Sequence, residues 1–299
     1  MPSLQVALAG ATGNLGGPIL EALLDAGFSV TVLSRIGGNS SKLRPRPNLT
    51  IKQVDFNSVE SLTSALQGAH VVVSCLATLA IGSQNPLIDA SVAAGVRRYI
   101  PAEFGMDSTN ALCVQLPVCA PKAATQKYLL EKSSANPGFT WTSIANGLFL
   151  DWCLEQGIIL NVAQHTATLY NGGDVLFSAT LLADVAKAVL GVIAHQDETV
   201  NRVVYIQSAL VTQNGLIRYA KDKDGKEWET VIKSTEDVRQ EGFAALAEGD
   251  LDAAMLGFSI CACFNTEYGC DFSSHLDNEL LGLKELGEAE LRALVVSFL

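Results

Sequence analysis

The sequence predicts an α/β fold, a doubly wound parallel sheet with a smaller C-terminal segment. Three observations predict it. Short apolar runs alternate with amphipathic stretches through the first half of the chain. Each run is nearly continuous, as suits a strand buried on both faces. The first run ends in "GATGNLGG", with Gly10, Gly13 and Gly16 three apart, at the point where a helix begins. Strand–helix alternation of this kind builds right-handed crossovers on a parallel sheet, with helices on both faces.

The elements follow in order. "QVALAG" reads as a strand, and "GPILEALLDAGF" as a helix with Ile19, Leu20, Leu23 and Leu24 on one face. "SVTVLSR" is the second strand. "LTIKQVDF" precedes the helical "SVESLTSALQGA", "HVVVSCLA" precedes "NPLIDASVAAGV", and "RRYIPAEFG" precedes a helix carrying "KAATQKYLLEKS". "FTWTSIANG" closes the series. The regular alternation loosens near residue 150, which predicts a first domain over 1–155 and a smaller segment over 156–299, some of whose strands return to the main sheet. In that segment "ATLYNGGDVLFSAT" reads as two strands around an Asn-Gly-Gly turn. Thr212 and Ser234 are predicted helix caps, the latter with acids in the turn that follows.

The chain has 299 residues, 48% of them hydrophobic, enough for a large core. No apolar run reaches the ~18 residues of a membrane span, and the first residues carry no basic n-region or cleavage-like site. The expectation is a soluble, cytoplasmic protein without a membrane partner. A net charge of −11 with no basic cluster argues against nucleic acid and leaves room for a small anionic ligand. Oligomeric state is not legible. Of seven cysteines, Cys261, Cys263 and Cys270 cluster ahead of His275, but C-x-C spacing without a matching second pair reads as buried free thiols, and no metal is expected.

A strand, a glycine turn and a helix start form an anion site, because backbone N–H groups and the positive end of the helix dipole converge there. Gly10 permits the tight turn, Gly13 has no side chain to hold a pyrophosphate away, and Gly16 allows close packing of the helix. In this context the turn predicts a dinucleotide lying across Thr12, Gly13, Asn14 and Leu15, and the fold is an NAD(P)-binding Rossmann fold. A cofactor without a 2′-phosphate usually meets an acid at the end of the second strand. Here "VLSRIGGNSSK" places Arg35 at that position and Lys42 beyond it, with no carboxylate nearby. A guanidinium pairs well with a phosphate dianion, so the expected cofactor is NADP(H). An ordinary surface arginine in a Gly/Ser-rich loop is the competing interpretation.

With these residues in hand, the chain resembles the NmrA-like, isoflavone-reductase-like branch of the atypical short-chain dehydrogenases. Four stretches carry the resemblance: "GATGNLG"; "SR" with the downstream lysine; "RRYIPAEFG", with Ala102 where serine is usual; and "APKAATQKYLLEK" followed by "FTWTSIANGLF". It covers roughly residues 4 to 210. It implies a reductase that takes hydride from NADPH to an aromatic, phenolic or polyketide-like small molecule. It also implies that Lys122 is the lysine at the nicotinamide.

Two lysines compete for the chemistry. Tyr128 and Lys132 form Y-x-x-x-K, which places both on one helix face. Lys122 follows Pro121 in the helix's first turn, facing the carboxyl edge of the sheet where ligands bind in open α/β folds. Position favours Lys122 as proton donor; a purely structural hold on the nicotinamide ribose is its alternative. Asp55 and Phe56 end the third strand and are candidates to flank the adenine, or form a plain turn. Leu76 and Ala77 follow the fourth strand, near the cofactor's centre. Asn146 is a candidate cofactor residue, and Phe104, Phe149 and Trp152 are candidate substrate residues, with core packing the alternative for Phe104. Two other functions stay open: a non-catalytic NADP(H) sensor, and a redox-neutral isomerase or cyclase on the same fold.

Overall fold

A computed structural model of the protein describes residues 4–299. Contacts divide the chain into two units, each discontinuous in sequence. The first takes residues up to Glu103, Pro121–Ile144 and Ala186–Val204; the second takes Phe104–Ala120, Ala145–Val185 and Tyr205–Leu299.

The first unit follows the predicted alternation: β1 (Gln5–Ala9), α1 (Gly16–Asp25), β2 (Ser29–Arg35), β3 (Leu49–Val54), α2 (Val59–Ala65), β4 (Val71–Ser74), α3 (Asn85–Ala93), β5 (Arg98–Ile100), α4 (Ala120–Ala135) and β6 (Thr140–Ala145). A seven-stranded sheet runs in the order β3, β2, β1, β4, β5, β6, with a late strand, Arg202–Tyr205, at the far edge. Val6 lies opposite Val30 on one side and Val71 on the other, both parallel. The late strand runs the same way, since Asn201 N donates to Trp141 O and Ile206 N to Ala145 O. The order reverses at β1, so right-handed crossovers send successive helices to opposite faces.

Val6, Ala7, Leu8 and Ala9 are all fully buried, which is why β1 reads as an unbroken apolar run. In α1, Ile19, Leu20, Leu23 and Leu24 are buried as their spacing predicts. The other layer packs Leu62 and Leu66 of the α2 region, Leu87 and Ile88 of α3 and Leu129 of α4 with Ala7, Val72 and Tyr99. Ser58 caps α2, its Oγ accepting from Ser61 N at 3.1 Å.

Arg98, which begins β5, is only 1% exposed. Its guanidinium donates to Thr140 Oγ1 (2.9 Å), Thr142 Oγ1 (2.7 Å), Thr199 Oγ1 (2.8 Å) and Gln196 O (2.5 Å). Each threonine hydroxyl passes its own proton to a main-chain carbonyl, of Arg97, Thr199 and His195 respectively. Burial lowers the Arg98 pKa to about 10, with Asp197 pulling the other way. The cation is tolerated because four of its five N–H donors face oxygens. Arg98→Ala should cost roughly 3 kcal/mol or more, since it leaves a cavity and three hydroxyl acceptors unpaired. Arg98→Met should cost less, and urea unfolding of the two variants checks the difference.

The second unit holds, in chain order, β7 (Leu148–Phe149), α5 (Leu150–Glu155), β8 (Thr166–Tyr170), β9 (Phe177–Thr180) and the start of α6 (Leu182–Ala194). The late strand above is β10, and β11 (Ala209–Val211), α7 (Gln213–Asp224), β12 (Glu229–Lys233), α8 (Thr235–Glu248), α9 (Leu251–Cys263) and α10 (Glu288–Val296) follow. Thr212 and Ser234 cap α7 and α8 as predicted, accepting from Gly215 N and Asp237 N. The Asn-Gly-Gly stretch does separate two strands, but they do not pair with each other. β8 lies parallel to β12, and β9 pairs with β11 and β7. Asn171 N donates to Lys233 O and so prolongs the β8–β12 ladder past the expected turn. Gly173 N then closes a turn on Tyr170 O, and both glycines sit at positive φ. Phe264 packs on Phe177 and Tyr170, with ring centroids 4.8 and 5.0 Å apart, in the core of this unit.

Candidate functional site

The glycine turn sits where β1 ends. Gly10 has φ +83°, and a Cβ there would lie 2.1 Å from Cys75 O. Cys75 N donates to Ala9 O at 2.8 Å, so the end of β4 closes directly on the turn. A Cβ on Gly16 would lie 2.0 Å from Gly10 O; the helix packs onto the turn itself. Gly13 is different. It is exposed, and its Cβ would meet only Gly10 O, at 3.4 Å. Packing therefore requires Gly10 and Gly16 but not Gly13. Thr12 and Asn14 are exposed beside it, and Leu15 caps α1 without any side-chain hydrogen bond; in the first turn Gly17 N donates to Gly13 O at 3.1 Å and Pro18 has no N–H. Leu76, half-buried, and Ala77, exposed, follow β4 at the same edge, where the strand order reverses. These features fit a dinucleotide pyrophosphate.

Arg35 ends β2 and is exposed. Gly38 N closes a turn on its carbonyl at 2.8 Å, and Lys42 ends the short 3₁₀ turn that follows. Among the described residues neither Arg35 nor Lys42 pairs with a carboxylate. Glu21 and Asp25 of α1 are instead taken by Arg46, at 3.2 and 2.6 Å. Lys42 lines a cavity of about 390 Å³ with Arg44, a cation that stands just beyond the "VLSRIGGNSSK" stretch. Asp55 holds a turn: its Oδ1 accepts from Asn57 N at 2.9 Å and its carbonyl from Ser58 N. Phe56 is half-buried against the core.

Lys122 is the third residue of α4 and 4% exposed. Its ammonium donates to the main-chain carbonyl of Glu103. Glu103 is itself buried, and its Oε2 accepts from Gln126 Nε2 at 2.9 Å, one turn beyond Lys122. One residue thus clamps the first two turns of α4 to the chain just after β5. Gln84 performs a similar service from α3's N-cap, accepting from Ala102 N at 3.0 Å. Neither Gln84 nor Gln126 carries a signal in the sequence, since both act only through contacts made by the fold.

Tyr128 and Lys132 do share a face, but it is the flank between α3 and α4. Tyr128 donates to Asp89 Oδ1 at 2.7 Å, and Lys132 reaches the same oxygen at 2.5 Å. Burial first, then the Asp89 carboxylate, raises the Tyr128 pKa, while Lys132 opposes them. A phenol that must ionise needs the opposite. Tyr128→Phe should leave turnover within roughly two-fold of the parent, measured as initial rate.

The remaining candidates belong to the second unit. Phe104 is buried with φ +20°, a strained setting for a non-glycine residue. Gly105 O accepts from both Asn146 N and Gly147 N at 2.9 Å. Asn146 is fully buried; its Nδ2 donates to Gly147 O, and among the described residues its Oδ1 has no hydrogen-bond partner. Gly147 has φ +62°, and a Cβ there would lie 1.9 Å from Ser178 O. Phe149 and Trp152 are half-buried at the start of α5. Among the described residues no group of three or more His, Cys, Asp or Glu is placed to hold a metal, and no helix is long and apolar enough to cross a membrane.

Solved structures share this fold. NADPH-dependent quinone oxidoreductase QOR2 of Escherichia coli, complexed with NADPH, is 21% identical with a TM-score of 0.76, covering 98% of this chain and 99% of that one. AtPrR2 with NADP+ and (+)pinoresinol is 22% identical with a TM-score of 0.73, covering 99% of each. In sequence, Oxidoreductase aprR of Aspergillus flavus is 32% identical over 287 residues, which is 94% of this chain and 95% of that protein. The model of the NmrA-like family matches residues 2–243. From the glycine turn through the strand order to these matches, the protein belongs to the NmrA-like family.

Proposed function

We propose that the protein is an NADPH-dependent reductase of an aromatic, phenolic or polyketide-like small molecule, with Lys122 as proton donor. One observation carries the proposal: the buried ammonium of Lys122, held by a neutral carbonyl in the first turn of α4. The name of the Aspergillus relative and the coenzymes in the two solved structures support it. Thr12, Gly13, Asn14, Leu15 and Gly16 would hold the pyrophosphate, Arg35 and Lys42 the 2′-phosphate, and Asp55 and Phe56 would flank the adenine. Leu76 and Ala77 would line the centre, and Asn146 would contact the nicotinamide end through its unpaired Oδ1. When bound, the reduced coenzyme supplies the hydride. Lys122 spends one of its three N–H groups on Glu103 O; another donates to the substrate oxygen that gains charge, and then gives up its proton. Phe104, Phe149 and Trp152 are the proposed substrate contacts.

Loss of NADPH absorbance against a panel of aromatic ketones and quinones tests the activity. Tight NADPH binding without reduction of any member would count against a reductase and for a sensor. For the coenzyme preference, Arg35→Ala should weaken NADPH binding roughly 10- to 100-fold, the worth of a charge-assisted phosphate contact, and leave NADH binding unchanged. Equal losses for the two coenzymes would refute the 2′-phosphate role.

A further inference from the structure

Six of the seven cysteines lie in the second unit, all buried and none disulfide-bonded. Two of them are already in sulfur contact. Cys113 Sγ and Cys119 Sγ are 2.8 Å apart, and neither residue is exposed. The chain between them is folded to bring this about. Asn110 Oδ1 accepts from Leu112 N (2.9 Å) and Cys113 N (3.0 Å), which sets the start of a 3₁₀ turn over Cys113–Gln115. Leu116 N then closes on Cys113 O at 3.0 Å, and Cys119 N on Leu116 O at 2.9 Å. Two consecutive turns thus return the seventh residue onto the first. A disulfide needs sulfurs about 2.05 Å apart, so closure here asks for a shift under about 1 Å.

Cys263 hydrogen-bonds with Cys270, a second buried pair in this unit.

We propose that Cys113 and Cys119 form a modification site, a dithiol that a hydroperoxide converts to an intrachain disulfide. One sulfur attacks the O–O bond, giving a sulfenic acid and water. The second sulfur displaces water from that sulfenic acid and forms the S–S bond. In sum, two thiols and one hydrogen peroxide give one disulfide and two waters; the sulfurs lose two electrons and the peroxide gains them. Because both sulfurs are buried, a bulky disulfide such as oxidised glutathione should react with them far more slowly than hydrogen peroxide. The product cross-links the segment directly ahead of α4.

The test treats the full chain with hydrogen peroxide, alkylates it in denaturant and maps the tryptic peptide Tyr99–Lys122, which contains both cysteines. The expected product lacks both alkyl groups and is two hydrogens lighter, the thiol titre falls by two from seven, and dithiothreitol restores it. Cys113→Ser and Cys119→Ser should each abolish the cross-link, and Cys263→Ser should leave it. A peptide that stays doubly alkylated, a cross-link mapping to Cys263 and Cys270, or oxidation that stops at sulfinic acid would overturn the proposal. The wild-type peptide map decides the matter even where a serine variant fails to fold.

Discussion

Lys122→Met should lower NADPH-dependent turnover by roughly 10²- to 10⁴-fold, the usual worth of a positioned proton donor. The variant keeps the length of the side chain and removes the ammonium from its buried place on Glu103 O. Coenzyme affinity should change far less, because the glycine turn and Arg35 are untouched. Lys122→Arg restores a cation but should not restore turnover. A guanidinium holds its proton too firmly to donate it, and its planar fork does not fit a site shaped for one ammonium. Initial rates together with NADPH binding by fluorescence separate the two roles. If both variants turn over normally with coenzyme bound, Lys122 is not the proton donor. If both lose coenzyme affinity in proportion to rate, the lysine only holds the ligand.

The second large effect is expected in the turn. Gly10→Ala puts a side chain at φ +83° and 2.1 Å from Cys75 O; Gly16→Ala puts one 2.0 Å from Gly10 O. In both cases the obstacle is backbone, so the first strand, the turn and the helix must move apart. We expect about 3 kcal/mol or more of lost stability for each, from overpacking and, at Gly10, left-handed strain. Gly13→Ala should behave otherwise. Its Cβ meets only Gly10 O at an ordinary 3.4 Å, so stability should hold within about 0.5 kcal/mol. NADPH binding should nonetheless fall at least roughly ten-fold, because a methyl group would stand where the pyrophosphate must approach. Thermal melts with and without NADPH distinguish the three variants. Normal NADPH affinity in Gly13→Ala would refute the placement of the pyrophosphate.

Much of the fold was legible because its signals are local. β1 reads as a buried strand from five consecutive residues, and Thr212 and Ser234 cap their helices with atoms three residues away. Hydrophobic period and cap chemistry act within a turn or two, so they survive in the linear chain. The same locality explains why pairing was not legible at residues 166–180, although both strands and the turn were. Two strands and a Gly-Gly turn are all present there, but strand pairing is a contest between partners distant in sequence. β12, some sixty residues on, wins β8 away from its neighbour β9.

Side chains obey the same division. The residue types proposed for a coenzyme site, the three glycines, Arg35 and Lys122, stand in the sequence in an order that resembles the NmrA-like family, to which the chain belongs. Which glycines are structural and which is bare, and that Tyr128 turns its phenol to Asp89, depend on neighbours supplied by other elements. So do the four donors of Arg98 and the clamp of Glu103 on α4. The sequence by itself determined the alternating sheet, its glycine turn and the family. Only the tertiary structure decided partners, burial and protonation, because each of these is set by what packs within a few ångströms in space and leaves no period along the chain.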